Sequence, residues 1–481
     1  SYENRTLLEQ MYFYRALAAP RGRLYLSCTA AGDAQPCAAL APVLALGPER
    51  DELSFVQLAP TPAAALQLYS EQYGQKTPFT AALRAALEAR PGLGPVLAAM
   101  DEAASPQPFH AADKKALEQL LGTQLTLSPT RVEQYYRCRF SYFLQYVLHI
   151  LPRRKAELSP LESGSLVHYI LEHALRRAGA CFAELSREEL TALADGIADE
   201  YVRQNMPAAG ARFAHLIARL KRAVANLLFY LQSEQAQSSF HPVAFEQAIG
   251  GSEAGAVPPL ELKTPDGKAV RVVGKIDRVD VMRRGGETYL RVVDYKTGTK
   301  KFSLEDVYCG LNTQMLFYLF TLCHAPQGQY AGARAAGVLY LLSDPAPKTA
   351  ARAGAEKTPL YEVDGLVVND PVIVRGMDKD ATGVFVPFGY SKNGTPRASA
   401  KLASLEKLGN IERHITGLVL QMAQGLYSGD IAAQPLRAGG HCPCDVCDYR
   451  PVCRHEDGKD EACAAAPKDV FEPKAGEVTG P

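Results

Sequence analysis

Residues 269–296 constrain the fold of this chain more than any other stretch. Upstream of them, long patterns over 187–205 and 211–234 repeat apolar residues at helical spacing. At 269 the period drops from 3.6 to 2. The segment AVRVVGKIDRVDVM (269–282) alternates and is rich in Val and Ile, which predicts a strand. Arg283-Arg284-Gly285-Gly286 is a turn, and TYLRVVDYK (288–296) is the partner strand of a hairpin. A helix over 304–323, a strand over 335–343 and a last long helix over about 402–428 complete an α/β pattern.

The hairpin also carries charge where a strand rarely does. Asp277 lies within Gly274-Lys275-Ile276-Asp277-Arg278-Val279-Asp280, and the second strand ends Val292-Val293-Asp294-Tyr295-Lys296-Thr297-Gly298. Asp294 and Lys296 are two apart and share a face with the apolar Leu290 and Val292. Charge at the edge of such a face must be paired or bind an ion. A divalent metal accounts for it: Mg²⁺ takes hard oxygen ligands, few of them from the protein, and leaves room for water and phosphate oxygens. Asp277 and Asp294 supply two carboxylates. Lys296 is placed either to orient and activate an attacking water or to neutralise charge building on a phosphate. Two helices add to the set. One opens at Ser163-Gly164-Ser165 and has the stripe Val167, Ile170, Leu171, Ala174 and Leu175; His168 lies one position off it, with Glu172 a turn later. On the helix after the hairpin, Gln314 and Tyr318 are i,i+4 and share a face.

Cysteines are the second constraint. Eleven are too few for a disulfide scaffold in 481 residues, and Cys442, Cys444, Cys447 and Cys453 fall within twelve positions. Such clustering points to metal or cluster ligation. Cys442-x-Cys444 is a poor zinc pair, because one spacer residue favours opposite side-chain directions. A remote fourth ligand is then an open alternative, and Cys138 sits at the start of the same unit. Four thiolates satisfy a [4Fe–4S] cluster, with zinc as the alternative and Cys442 as an ambiguous extra. Cys28, Cys37, Cys181, Cys309, Cys323 and Cys463 read as ordinary residues.

Lys+Arg and Asp+Glu are 52 each, which excludes a protein that coats nucleic acid by bulk charge but not one with a local basic channel. Between Arg131 and Lys155 six basic residues (Arg131, Arg137, Arg139, Arg153, Arg154, Lys155) face one acid, Glu133. Tyr135, Tyr136, Phe140, Tyr142, Phe143 and Tyr146 interleave with them. The pattern suits single-stranded DNA or, equally, an amphipathic helix with a solvated basic face. No apolar run reaches the roughly 18 residues of a membrane helix, and the N-terminus has no signal-peptide pattern. The first residue is Ser and a helical pattern follows at once, so the chain is read as a piece of a longer one.

Taken in order, His168, Asp277, Asp294/Lys296 and Gln314-x3-Tyr318 resemble the RecB-like branch of the PD-(D/E)xK nuclease superfamily. The resemblance implies a central mixed sheet flanked by helices. It implies that His168, Asp277, Asp294 and the Tyr295 carbonyl coordinate metal, that Lys296 is catalytic, and that Gln314 and Tyr318 hold the DNA strand and the lysine. Ile276 stands where the family has Pro, which moves no ligand. One Cys before these motifs and Cys444-x2-Cys447-x5-Cys453 after them resemble the AddB family of bacterial AddAB helicase–nucleases, in which an iron–sulfur cluster staples the ends of the nuclease domain. Residues 14–26, Tyr-Arg-Ala-Leu-Ala-Ala-Pro-Arg-Gly-Arg-Leu-Tyr-Leu, resemble the last motif of UvrD-type helicases, with Ala18-Ala19 where that motif has Thr-Arg. With no G-x4-G-K-(S/T) loop present either, no ATP hydrolysis is expected of this chain.

The organisation implied is the end of a helicase-like domain (1–60), a helical connector (61–125), a nuclease domain with its cysteine clasp (126–455) and a flexible tail (456–481). The function implied is Mg²⁺-dependent exonuclease action on single-stranded DNA, by resemblance on the 5′-terminated strand. It would serve double-strand-break repair in the cytoplasm, with an AddA-like helicase partner. A stand-alone RecB-like exonuclease and a non-catalytic DNA-binding scaffold are the other readings.

Overall fold

The computed structural model describes residues 2–27, 40–48, 57–104, 109–152, 160–205, 211–253, 255–296, 301–343, 361–438, 442–453, 461–462 and 471–472. They divide into two compact units, Ser1–Gln107 and Pro108–Pro481.

The smaller unit is helical: α1 (Tyr2–Ala18), α2 (Ala41–Leu44), α3 (Pro62–Glu71), α4 (Pro78–Glu88) and α5 (Gly94–Ala104). Helices α3 and α4 start alike. A threonine, Thr61 or Thr77, accepts a backbone N–H with its hydroxyl, and Pro occupies the first turn. Tyr69, Leu87 and Leu97 form the core of this unit. The segment RGRLYLSCTA (21–30) reads from its sequence as a short strand, but residues 21–27 do not form one, and 28–30 lie outside the described residues. A strand is held by a laddered neighbour, and no described residue pairs with this segment.

In the larger unit α6 (Lys114–Leu121) and β1 (Gln124–Leu127) come first. The helical stretch anticipated over 61–125 is therefore shared between the two units. Helix α7 (Pro129–Arg137) opens with Ser128 Oγ accepting the Arg131 N–H. The segment RVEQYYRCRFSYFLQYVL (131–148) reads from its sequence as one helix, but it breaks at Cys138, which is extended at φ −168°. It resumes as α8 (Arg139–Tyr142) and a π-helical turn, Phe143–Val147. The break has a visible cause: the Phe140 N–H goes to the Ala432 carbonyl. Three long helices follow, α9 (Pro160–Ala178), α10 (Arg187–Asn205) and α11 (Ala211–Gln237). They bury Ile170, Ala194, Ile197 and Leu228 among one another and against the sheet.

The strands are β2 (His241–Ile249), β3 (Leu260–Lys263), β4 (Ala269–Val272), β5 (Gly274–Arg284), β6 (Glu287–Lys296), β7 (Arg334–Ser343), β8 (Tyr361–Val368) and β9 (Leu402–Ala403). The strand anticipated over 269–282 is thus two. Strand β4 joins β1 and β3 in a small sheet, while β5 enters the main one, ordered β2-β5-β6-β7-β8-β9. The chain changes sheets at Val273, whose N–H donates to the Leu127 carbonyl. The main sheet is mixed: β2/β5, β5/β6 and β7/β8 are antiparallel, β6/β7 and β8/β9 parallel. Gly285 (φ 63°) and Gly286 (φ 82°) make the tight β5–β6 turn that right-handed strand twist favours.

The β6–β7 crossover holds α12 (Leu304–Tyr308) and α13 (Gln314–Cys323), where one helix was anticipated over 304–323. Gly310 interrupts it at φ 82°, and a Cβ there would lie 2.5 Å from Cγ of Tyr136. Helices α14 (Pro371–Met377) and α15 (Leu405–Ser428), strand β10 (Leu436–Arg437), α16 (Arg450–Cys453) and β11 (Glu461–Ala462) complete the order. The tail anticipated as flexible is docked wherever it is described. Strand β11 pairs with β10, Phe471 is 3% exposed, and Glu472 lies 2.6 Å from Lys407. An apolar ring inside a polar tail is what pins it. Cys309, expected to be ordinary, is in a disulfide. Among the described residues no helix is long and apolar enough to cross a membrane.

Candidate active site

The β5–β6 register creates the site. Arg278 pairs with Val293 and Val279 with Val292, so Asp277 and Asp294 are the next neighbours across the two strands, on one face. Helix α9 lays His168 over them. His168 Nε2 is 2.9 Å from the Tyr295 carbonyl oxygen, and Nδ1 is 3.3 Å from Asp277 Oδ2. The Tyr295 N–H donates to the same Asp277 oxygen at 3.3 Å. Lys296 Nζ stands 2.8 Å from Asp294 Oδ2. From α13, Gln314 Nε2 reaches the Tyr318 hydroxyl at 3.4 Å, and that hydroxyl also meets the Lys275 N–H. Every expected site residue from His168 to Tyr318 therefore lies in this region of the sheet. Glu172 instead turns to Arg176, at 2.8 Å.

The electrostatics describe two buried carboxylates coupled to an imidazole and an ammonium. Burial and the Asp277 charge push the Asp294 carboxyl up to about 7, against the pull of Lys296. Burial alone would raise Asp277 too, but the His168 hydrogen bond and charge outweigh it and hold Asp277 below the ordinary range. Burial would lower His168, yet its bond to Asp277 raises it to about 9. Burial also opposes the charged form of Lys296, and Asp294 overcomes that. Asp294 is 3% exposed, and its Oδ2 has the Lys296 ion pair but no well-aligned hydrogen bond. Protons here stand where a divalent cation would put charge. Two carboxylates, a peptide carbonyl and an imidazole are a donor set that suits Mg²⁺ or Mn²⁺.

The other face of the same strands is ionic and closed to solvent. Arg278 Nε donates to Asp280 Oδ1 at 2.6 Å and Arg278 Nη2 to Glu234 Oε2 at 3.1 Å. Arg291 Nε donates to Asp280 Oδ2 at 2.8 Å, and Arg291 also bonds Glu234. Arg278 Nη1 is 3.4 Å from the Tyr295 hydroxyl, so the network touches the residue whose carbonyl meets His168.

Sequence reasoning missed two acidic residues. Glu133 on α7 accepts the Thr313 N–H at 3.0 Å, fixing the start of α13, and its charge reaches Lys296. Glu246 on β2 brings its carboxylate close to His168 and Asp277. The spacing of β2 gives no hint of it, because Glu246 sits at φ 52°.

Cys138, Cys444, Cys447 and Cys453 line one cavity of about 180 Å³. Cys138, Cys447 and Cys453 pack around Phe140, Leu144 and Tyr449. Burial pushes the Cys138 thiol up, although the Ser141 and Phe140 N–H groups favour its thiolate. The break in the helix is what turns it toward the others. Cys442 is buried and shares a side-chain hydrogen bond with Cys444. Four cysteines on one cavity are the ligand type that a cluster or a soft metal takes.

The aromatic residues of the basic stretch belong mostly to packing. Tyr135, Phe140, Tyr142 and Phe143 are buried, so stacking on bases is not their role. Arg139 is 2.6 Å from Asp430, and Arg131 donates to the Thr126 carbonyl. Arg153, Arg154 and Lys155 lie outside the described residues.

Fold and site define a class, and the comparisons agree. Residues 126–454 match the PD-(D/E)XK nuclease superfamily, and the chain belongs to it. It is similar to AddB proteins, each named as a subunit of an ATP-dependent helicase/deoxyribonuclease. That of Clostridium acetobutylicum is 31% identical over 371 residues, 72% of this chain and 31% of that protein. That of Symbiobacterium thermophilum is 32% identical over 351 residues, 70% and 30% of the two. That of Thermoanaerobacter sp. (strain X514) is 29% identical over 354 residues, 71% and 31%. The chain thus spans about 31% of the length of the curated relatives it matches.

Proposed function

We propose that residues 126–455 are a divalent-metal-dependent deoxyribonuclease domain, part of an AddB-like component of an ATP-dependent helicase–nuclease that works with an AddA-like partner in double-strand-break repair in the cytoplasm. The observation that carries this is the meeting of His168, Asp277, Asp294, the Tyr295 carbonyl and Lys296 on one sheet face. His168, Asp277, Asp294 and the Tyr295 carbonyl would hold Mg²⁺, which when bound lowers the pKa of water and screens a phosphate. Lys296 shares that face with Asp294 and is placed to hold the attacking water or the charged phosphate oxygen. Gln314 and Tyr318, at the N-terminal end of α13, are placed to position the strand backbone. Residues 1–60 fit the end of a helicase-like domain and 61–125 a connector, and by resemblance the strand cut is the 5′-terminated one.

Cys138, Cys444, Cys447 and Cys453 would hold a [4Fe–4S] cluster. Its role is mechanical: it ties residue 138 to residue 444, 306 positions later (444 − 138).

The test is a gel assay with matched single strand and blunt duplex, with Mg²⁺, with and without ATP. The single strand should be degraded and the blunt duplex spared with or without ATP. Asp277→Ala, Asp294→Ala and Lys296→Ala should each nearly abolish cleavage in a folded protein. Wild-type cleavage by the Asp294 variant sinks the assignment, and ATP-stimulated duplex degradation by this chain alone would restore a motor to it.

A further inference from the structure

We infer that Glu133 is a positioning residue for cleavage with two separable jobs: its Oε1 anchors the start of α13, and its negative charge holds Lys296 once a divalent cation takes up Asp294. The inference rests on the nuclease reading and deepens it.

Helix α13 does not cap itself. Its N-cap residue, Thr313, has the helical angles φ −87° and ψ −18°, and its side chain makes no capping bond. An N-cap hydroxyl ordinarily accepts an N–H of the first turn from an extended backbone. Thr313 Oγ1 is instead buried without a hydrogen-bond partner. What meets this helix end is Glu133, which accepts the Thr313 N–H at 3.0 Å from 180 positions away in sequence. A carboxylate is the group that a helix N-terminus favours. Gln314 is the next residue and Tyr318 lies one turn beyond it, so this bond sets where both stand.

The helix that carries Glu133 is seated on the same corner. Tyr136 shares its face of α7 and packs so closely on Gly310 that a Cβ there would lie 2.5 Å from Cγ of the ring. The Tyr136 hydroxyl donates to the Leu418 carbonyl of α15 at 2.7 Å. The Glu133 carboxylate is half-buried, and the cation of its own helix, Arg137, comes no nearer than 3.8 Å from an exposed side chain. Such a pair holds little.

Lys296 is the other positive group within its influence. Lys296 Nζ lies 2.8 Å from Asp294 Oδ2, and the negative charges that bear on it are those of Asp294, Asp277 and Glu133. The two aspartates belong to the set that would hold the metal, and a bound cation offsets their charge. Glu133 then remains as the acid that keeps the ammonium in place. Tyr340 marks the shared space: it pairs with Asp294 in the β6–β7 register, is buried, and feels the charges of both Asp294 and Glu133.

Steady-state cleavage of a single strand by the full chain under Mg²⁺, with thermal melts and Mn²⁺ affinity of each variant, separates the two jobs. Glu133→Gln keeps an oxygen for the Thr313 N–H and removes the charge. Its KM should stay within about twofold of wild type, while kcat falls about tenfold, as a displaced catalytic group requires. Glu133→Asp keeps the charge and falls one methylene short of the Thr313 N–H. Its KM should rise about fivefold, the net worth of one hydrogen bond, with kcat within about threefold of wild type. Both should bind Mn²⁺ within about twofold of wild type, because Glu133 is not a ligand. A merely structural residue would not split the two constants in opposite ways. Wild-type kcat in a folded Glu133→Gln protein overturns the inference. So does an unchanged KM in Glu133→Asp, and so does loss of Mn²⁺ from Glu133→Gln, which would make Glu133 a ligand. Each of these leaves the nuclease reading standing, whereas a wild type that cleaves no single strand overturns both.

Discussion

A side chain at Gly274 would collide with Tyr318: the Cβ of an alanine there would fall 2.6 Å from Cε1 of the ring and 2.7 Å from its hydroxyl. The first residue of β5 is bare because the tyrosine of α13 lies across it. This contact sets the distance between the crossover helix and the strand that carries Asp277. Gly274→Ala should therefore destabilise the protein by about 1–3 kcal/mol, the usual penalty of overpacking, and slow cleavage. Urea denaturation of the single variant and of Gly274→Ala combined with Tyr318→Ala checks it. If the two substitutions are additive, the contact does not matter.

Metal-free protein should lose stability as the pH rises. Asp294 is raised from 3.8 to about 7 in the folded state, so the fold binds that proton more tightly than the open chain does. Its contribution is complete below the unfolded value and is lost as pH climbs through about 7. His168 acts in the same sense, from 6.5 up to about 9. Asp277 is lowered and works the other way, losing its contribution only as the solution becomes strongly acidic. Thermal melts in metal-free buffer should fall between about pH 5 and pH 9, and Asp294→Asn should remove the lower half of that slope. Saturating Mg²⁺ should reverse the trend, because the cation replaces the protons. A flat metal-free profile would contradict the assigned cluster.

Cys138→Ser should strip iron from the protein and loosen the nuclease unit, whereas Cys442→Ser should do neither. By the chain-entropy rule for cross-links, a closure of this length is worth about 6 kcal/mol. Iron analysis and the visible spectrum of anaerobically purified variants decide it. Equal iron in wild type and the Cys138 variant moves the fourth ligand elsewhere, with Cys442 first in line.

The ion network behind the site makes a prediction about stability alone. Arg278, Asp280, Arg291 and Glu234 form a closed cell of two positive and two negative groups, and Arg278 is 0% exposed. Removing one member leaves the others buried and uncompensated. Arg278→Met should therefore cost about 3–5 kcal/mol, visible as a shifted denaturation midpoint. A loss under about 1 kcal/mol would mean that water reaches the cell.

Much of the site was legible in the chain because strand alternation is a strict rule. Two residues apart means one face, so Asp294 and Lys296 could be placed together, and helical spacing placed Gln314 with Tyr318. What was not legible depends on distant partners. The helix around Cys138 reads as continuous because nothing local breaks it; Ala432, far along the chain, does. The strand over 269–282 alternates without interruption, yet its two halves serve different sheets. Glu246 was invisible because only the pairing of β2 with β5 sets it opposite Asp277. The tail looked mobile by composition, yet within it Phe471 is buried.

The break at Cys138 also fixes an order of events. Backbone and side chains near residue 138 bond residues 418, 430 and 432, and Tyr449 reaches back to the Ile150 carbonyl. None of these bonds can form until the ribosome has made nearly the whole unit. Cys453 follows Cys138 by 315 residues (453 − 138), which at about 5–20 residues per second is roughly 15–60 s of synthesis. Through that interval the first thiol waits without its companions, so any cluster is loaded only after the strands of the main sheet have been made, and a ribosome that stops short of residue 444 leaves a hairpin with its catalytic residues made but its two ends unjoined.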